Sequence, residues 1–327
     1  MSDKILITGG TGFLGSALAR ELCRAGREVR VLARPASDLA RLQNLELEIT
    51  LGDVLLPSTL AEALAGVGVV YHLAGMLGGL PVPDAAYRDL HVNGTLNVLV
   101  AAQAARVKRF VHVGSPGVLG PIQNPPADET RPHAPSNIYE ATKSEGEKLA
   151  LEFARRTSLS LTVVRPEFVY GPADMHVLGL FQAIKNRRFF FVGSGQSCVH
   201  PTFVDDAVRG MILCETAGHD EAVYHIAGPK AVTIRQLAAV IAGALRVPPP
   251  RLSVPRWLAA AGAAGLEWAA MFLPFHPPLS RSGVDFFTET RAFSTARAQT
   301  ELGYQAQVPL AEGVRRTVAW YQERGLL

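Results

Sequence analysis

Lys4-Ile5-Leu6-Ile7-Thr8-Gly9-Gly10-Thr11-Gly12-Phe13-Leu14-Gly15 is an apolar run that stops in glycines, and Ser16-Ala17-Leu18-Ala19-Arg20-Glu21-Leu22 continues it with helical periodicity. The pattern predicts a strand, a tight turn and a helix. Gly9, Gly12 and Gly15 recur every third residue, and each has a steric purpose: to turn the chain, to let backbone approach a pyrophosphate, and to bring helix against strand. The helix that opens near Gly12 then points free N–H groups and the positive end of its dipole at the phosphates. Thr11, Phe13 and Leu14 complete this expected dinucleotide cradle.

Outward from that turn the pattern repeats. Glu28 to Ala33 reads as a second strand, and the residues at its end choose the cofactor. An acidic residue there would hold the ribose hydroxyls of NAD. This chain has Ala33 and Arg34, with Ser37 as a further donor, which favours NADP(H); NAD(H) stays open because Asp38 stands nearby. Glu46 to Leu51 reads as a third strand leading to Asp53 and Val54, where a carboxylate meets the adenine amino group. Pro57 to Leu64 reads as a helix, and Val67 to His72 as a buried strand ending in Leu73-Ala74-Gly75, small enough for a ring or ribose to lie against. Tyr87 to Ala105 reads as one long helix carrying Asn93, and Arg109 to Val113 as a fifth strand. Strands alternating with helices specify an α/β fold with a doubly wound parallel sheet.

The chemistry gathers after that strand. Ser115 stands at the carboxyl edge of the sheet, where ligands of this architecture bind. Tyr139 and Lys143 are four apart on a helix reaching about Phe153 and share a face, whereas Glu145 and Glu147 read as solvated charges on other faces. Tyr139 suits a general acid for a developing alkoxide. A Lys143 ammonium about 5 Å away, at an effective dielectric of about 20, favours phenolate by roughly 3 kcal/mol, or about two pKa units.

The glycine turn, Asp53, His72-Leu73-Ala74-Gly75, Asn93-Gly94-Thr95, Ser115, Tyr139 with Lys143, and Arg165-Pro166-Glu167-Phe168-Val169-Tyr170-Gly171-Pro172 together resemble the extended short-chain dehydrogenase/reductase superfamily, the NAD-dependent epimerase/dehydratase group. The resemblance spans almost the whole chain in order. It implies a Rossmann domain over 1–170, its sheet completed by part of 200–228, and a mainly substrate-binding region over 171–327. It also implies catalysis by Ser115, Tyr139 and Lys143, with Lys143 on the nicotinamide ribose, and cofactor contacts from Pro166 and Phe168.

Substrate signals are weaker. Nucleotide-sugar members place an arginine before the strand that leads to Asp205-Asp206; here Val199 takes that place, although Arg187, Arg188 or Arg281 can substitute. The apolar segment 257–273, with Trp268, Met271 and Phe272, and with Phe275 just beyond it, resembles 3β-hydroxysteroid dehydrogenase-like members and reads either as a lid over an apolar alcohol or ketone or as a core helix. It falls short of the roughly 20 residues a spanning helix needs. A second copy of the chain and a lipid surface touched by 257–273 are further expected partners. A regulator that binds the cofactor without turnover is the reading from another class; the presence of both Tyr139 and Lys143 argues against it.

Composition narrows the field. With 48% hydrophobic and 19% charged residues the chain is globular, and a formal charge of +3 over 327 residues with no basic run argues against nucleic acid. Cys23, Cys198 and Cys214 have no pairing spacing, so neither disulfides nor a metal is expected, and a cytoplasmic setting fits. Met1-Ser2-Asp3-Lys4 leads straight into the first strand, leaving no room for a signal peptide. His72, His200 and His225 lack ligand spacing and read as structural.

Overall fold

The computed structural model describes residues 4–80, 82–270 and 281–327, with the side chains of 267–270 and 281–283 left aside. Its first half alternates β1 (Lys4–Thr8), α1 (Phe13–Arg24), β2 (Val29–Ala33), β3 (Glu48–Leu51), α2 (Leu60–Ala63) and β4 (Val67–His72). It continues with α3 (Asp84–Arg88), α4 (Gly94–Ala104), β5 (Arg109–Val113), α5 (Ile138–Thr157) and β6 (Leu161–Pro166). The second half holds β7 (Val169–Tyr170), α6 (Leu178–Lys185), β8 (Phe191–Val192), β9 (Cys198–Val199), β10 (Thr202–Phe203), α7 (Val204–Thr216) and β11 (Val223–Ile226). It closes with β12 (Val232–Thr233), α8 (Ile234–Leu245), β13 (Ser253–Val254), α9 (Arg256–Ala270), α10 (Arg281–Thr288), α11 (Ala296–Leu302) and α12 (Leu310–Glu323).

Seven strands form one parallel sheet in the order β11-β6-β5-β4-β1-β2-β3. The order reverses between β1 and β4, which is the crevice where ligands of open α/β sheets bind. Helices cover both faces, so the central strands are apolar throughout: Ile5, Leu6 and Ile7 are fully buried, Leu6 on one face and its two neighbours on the other. Each such side chain contributes about 1.5–3 kcal/mol on leaving water. A third core, with Phe181, Phe203, Ile241 and Val318, joins α6, α8 and α12. Phe13 and Leu14 pack against this third core, and Leu14 also touches the core on the α1 face of the sheet, so the glycine turn sits where the two meet.

Three elements differ from their sequence expectation. A turn through Leu45 and Leu47 delays the third strand to Glu48. The expected helix from Pro57 is a 3₁₀ turn, Pro57–Thr59, leading into the four-residue α2. The long helix expected from Tyr87 is interrupted by a π turn over Asp89–Asn93, which joins α3 to α4. Among the described residues no helix is long and apolar enough to cross a membrane. The segment expected as a lid is α9 in its described part, which buries Ala259 and Ala263 against Val192 and Val284 and exposes Trp257 and Leu258; Met271, Phe272 and Phe275 lie outside the described residues.

Candidate active site

At the glycine turn, backbone takes the place of side chains. Gly9 has a φ of 72°, and a Cβ there would stand 2.7 Å from the Leu73 carbonyl carbon. At Gly15 a Cβ would stand 2.3 Å from the Gly9 oxygen, so helix and strand touch through it. Gly12 opens α1 with no side-chain cap and would meet only the Gly9 oxygen, at 3.3 Å. The first-turn N–H groups of Phe13, Leu14 and Gly15 thus face outward uncapped, as an anionic pyrophosphate requires. Thr8 fastens the neighbouring strand end: its Oγ1 lies 2.8 Å from His72 Nδ1 and accepts from Ala74 N–H, while His72 Nε2 meets Thr95.

Further along the sheet edge, Arg34 is exposed and its guanidinium makes no hydrogen bond or ion pair among the described residues, while its N–H donates to Ser37 Oγ. Asp38 is engaged by Ala40 N–H. One oxygen of Asp53 accepts from Leu55 N–H at 2.9 Å and leaves the other available; Val54 is buried. Leu73 and Ala74 are half-buried and Gly75 is exposed. The glycine turn thus leaves the space that a dinucleotide needs, and the Arg34 guanidinium stands unengaged among the described residues at the same sheet edge.

Asn93, an expected cofactor contact, lies at the end of the π turn. It is exposed and its amide donates to Asp89 on its own helix. His91 takes the inward position instead: Met76 N–H donates to its Nε2 at 3.1 Å, which puts the ring proton on Nδ1 for Thr142 Oγ1 at 2.9 Å. Burial and then the nearby Lys143 charge push the His91 pKa down to about 3, so the ring is neutral. It meets the Tyr139 ring edge-on with centroids 5.7 Å apart.

The structure brings Ser115, Tyr139 and Lys143 together. Ser115 follows β5, accepts from Gly117 N–H at 3.2 Å, and hydrogen-bonds the Tyr139 phenol. Asn137 caps α5 by accepting from Glu140 N–H and so fixes Tyr139 in the first turn of the helix. Lys143 Nζ donates to the Val113 carbonyl at 2.7 Å, and burial lowers its pKa to about 8. Burial raises the Tyr139 phenol, and the Ser115 hydrogen bond only partly offsets it. The two-unit lowering expected from Lys143 does not appear: loss of water leads, Glu167 and Glu140 add to the rise, and the opposing charge is that of Arg291.

Glu147 is a correction to the reading of a solvated charge. It stands eight residues after Tyr139 and four after Lys143, on their stripe, and is wholly buried. Arg165 holds it at 2.9 and 2.5 Å, and the guanidinium also meets His133 at 2.8 Å and His225 at 3.2 Å. Burial pushes Glu147 up, but hydrogen bonds from His133 and Arg165 bring it down to about 2. A Cβ at Gly114 would lie 2.8 Å from Glu147 Oε2, so this pair sits directly beneath the strand end that carries Ser115. Glu145 pairs with Arg88 near the surface, as a solvated charge does.

Other residues at the site had no sequence signal. Arg291, from the segment after α10, pairs with Glu140 at 2.7 Å and Glu289 at 2.9 Å. Its partners lie about 150 residues away or on its own turn, and no spacing rule joins them. The loop after β4 brings Gly78 against Tyr139, where a Cβ would be 3.2 Å from the tyrosine Cβ, and leaves Leu77 and Leu80 exposed. Tyr87 pins that loop by donating to the Leu77 carbonyl and accepting from Leu80 N–H. Pro166 and Phe168 are half-buried at the exit of β6, with Phe168 5.4 Å from the Phe286 ring.

The family model described as NAD dependent epimerase/dehydratase family matches residues 5–227. The chain is 30% identical over 318 residues to the 4-hydroxy-2-methyl-3-oxo-4-farnesyl-3,4-dihydroquinoline-1-oxide ketoreductase of Stigmatella aurantiaca, covering 95% of this chain and 94% of the relative. It is 31% identical over 330 residues to the 2-alkyl-3-oxoalkanoate reductase of Stenotrophomonas maltophilia, covering 97% and 98%. The structure of the dTDP-glucose 4,6-dehydratase DesIV from Streptomyces venezuelae, with NAD and TYD bound, superposes with a TM-score of 0.81 at 27% identity over 98% of each chain.

Proposed function

The chain belongs to the NAD dependent epimerase/dehydratase family of extended short-chain dehydrogenases/reductases, and from that premise we propose that this NAD(P)-dependent enzyme is an NADP(H)-linked ketoreductase acting on an apolar 3-oxo compound. The cofactor's part is to carry the hydride. Everything else falls to side chains at one sheet edge. Ser115 donates to the substrate carbonyl oxygen and holds it against Tyr139, which gives its proton to the developing alkoxide. A phenol raised by burial stays protonated at neutral pH, which suits reduction rather than oxidation. Lys143, fixed on the Val113 carbonyl, is placed to hold the nicotinamide ribose and to reprotonate the phenol.

The observation that carries the substrate class is the state of the cations. Val199, where a diphosphate-binding arginine would stand, is fully buried in the third core, and Arg291 beside Tyr139 is already held by two carboxylates. Arg187 and Arg188 are exposed on the turn after α6, and the Arg281 side chain lies outside the described residues. The Leu77 and Leu80 side chains instead give the loop over Tyr139 an apolar character. Both curated relatives are named as reductases of 3-oxo compounds. The likeness to a dTDP-glucose dehydratase supports a second reading, a nucleotide-sugar enzyme.

We read residues 1–170, with the returning strand near 223–226, as the cofactor part and 171–327 as mainly the substrate part. Arg34, exposed and with a guanidinium that has no partner among the described residues, supports NADP(H) over NAD(H). Absorbance of the reduced nicotinamide, followed with alkyl ketones, β-keto esters and dTDP-glucose, tests the reading. Oxidation of NADPH by the ketones and none with the sugar nucleotide is the expected result; the reverse pattern overturns it.

A further inference from the structure

Three carboxylates stand around Arg291, and it pairs with two of them, Glu140 and Glu289. The third is Glu167, 7% exposed, at the point where the chain leaves β6 for β7. Its backbone N–H donates to the Ile226 carbonyl at 2.9 Å, but its side chain makes no hydrogen bond or ion pair among the described residues. Glu140 needs no help from it, since the Ser136 N–H and hydroxyl both reach that carboxylate at 2.8 Å.

Counting charge decides the form of Glu167. The Arg291 guanidinium already pairs with two carboxylates, so a third carboxylate beside it is poorly compensated as an anion, which favours taking up a proton. Burial and the Glu140 charge raise its pKa and Arg291 opposes them, leaving it at about 8. The groups that face it are Tyr139 and Glu140 from α5 and Arg291, itself held by Glu289, from the segment after α10. On its own strand Arg165 is committed to Glu147, and on β11 His225 faces Arg165. Glu167 is close enough to Tyr139 for its charge to raise the phenol. A buried neutral carboxyl with no acceptor is a donor waiting for one.

We propose that the Glu167 carboxyl is a specificity-determining group, which donates its O–H to a second oxygen of the substrate close to the carbonyl that Ser115 and Tyr139 hold. The inference rests on the ketoreductase reading and deepens it: the preferred substrates are ketones with a neighbouring oxygen acceptor, of which β-keto esters are the simplest, over plain ketones of equal size. The residue does not transfer the proton to the alkoxide; it selects and orients.

The test compares kcat/KM for a β-keto ester and a plain ketone of matched carbon number, with NADPH, in the parent, Glu167→Gln and Glu167→Leu proteins. The parent should favour the ester at least tenfold, Glu167→Gln should keep the preference because its amide still donates, and Glu167→Leu should lose it. Above pH 8 the parent KM for the ester should rise about tenfold per pH unit as the donor ionises, and in Glu167→Gln it should stay level; any limb left in that variant belongs to Lys143 or Tyr139. Equal preference in the parent and Glu167→Leu, or the same KM profile in the parent and Glu167→Gln, overturns the role of Glu167 while leaving the ketoreductase reading intact. A parent that reduces neither compound overturns both.

Discussion

At the glycine turn, space is made by leaving side chains out: Gly9, Gly12 and Gly15 let backbone meet backbone and leave the helix N-terminus open. Around Ser115 and Tyr139, position is set by buried charges in pairs, Glu147 with Arg165 under the Ser115 strand end and Glu140 with Arg291 beside Tyr139. The difference teaches where each half is vulnerable. A steric frame responds to added atoms and ignores pH. A frame of ion pairs responds to the removal of one partner and to protons.

The largest expected effect belongs to the charged side's product, the phenol that it positions. Tyr139→Phe should lower single-turnover rate by about two to four orders of magnitude with NADPH affinity nearly unchanged, since only the proton donor is lost. Equal rates in variant and parent would remove Tyr139 from the reaction.

Next comes the frame itself. Arg165→Met leaves the buried Glu147 with His133 as its remaining partner, so thermal or denaturant unfolding should show a loss of about 3 kcal/mol, and Arg165→Met with Glu147→Leu should recover much of it. The pair also sets an acid limit. Glu147 is depressed to about 2 in the folded protein against an ordinary value near 4.5, so its contribution is full above about pH 4.5 and is lost as pH falls towards 2. An acid-unfolding profile unchanged by Glu147→Gln would show that the pair does not hold the strand end.

A smaller effect is expected on the cofactor side. Arg34→Ala should weaken NADPH binding by about ten- to a hundredfold, the worth of a charge-assisted hydrogen bond of about 1.5–3 kcal/mol, and leave NADH binding alone. Ala33→Asp should shift preference towards NADH. Titration of both cofactors checks this, and an Arg34→Ala protein that binds NADPH like its parent separates the guanidinium from the phosphate.

Much of the steric half could be read from residues in order, because strand, turn and helix are neighbours in the chain and glycine spacing carries its own geometry. The charged half could be read only in part. Ser115, Tyr139 and Lys143 share one end of one strand and one helix face, and periodicity finds them. Glu147 lies on the same stripe but was read as solvated, since its partner Arg165 is on a strand with no local signal. The inward place of His91 could not be read from a helical pattern, because the π turn at Asp89–Asn93 adds a residue to the helical turn. Arg291 and Glu167 meet the site only through the tertiary fold.

Ketone reduction at an apolar site is the claim on which the account turns, and substrate length tests it most directly. In a series of alkyl ketones or β-keto esters at fixed ionic strength, each added methylene should contribute about 0.8 kcal/mol, so kcat/KM with NADPH should rise severalfold per carbon until the site is filled, while a uridine or thymidine diphosphate sugar binds weakly at any salt. A flat series, together with tight sugar-nucleotide binding that weakens as salt is raised, would contradict the account and place the chain among the nucleotide-sugar enzymes.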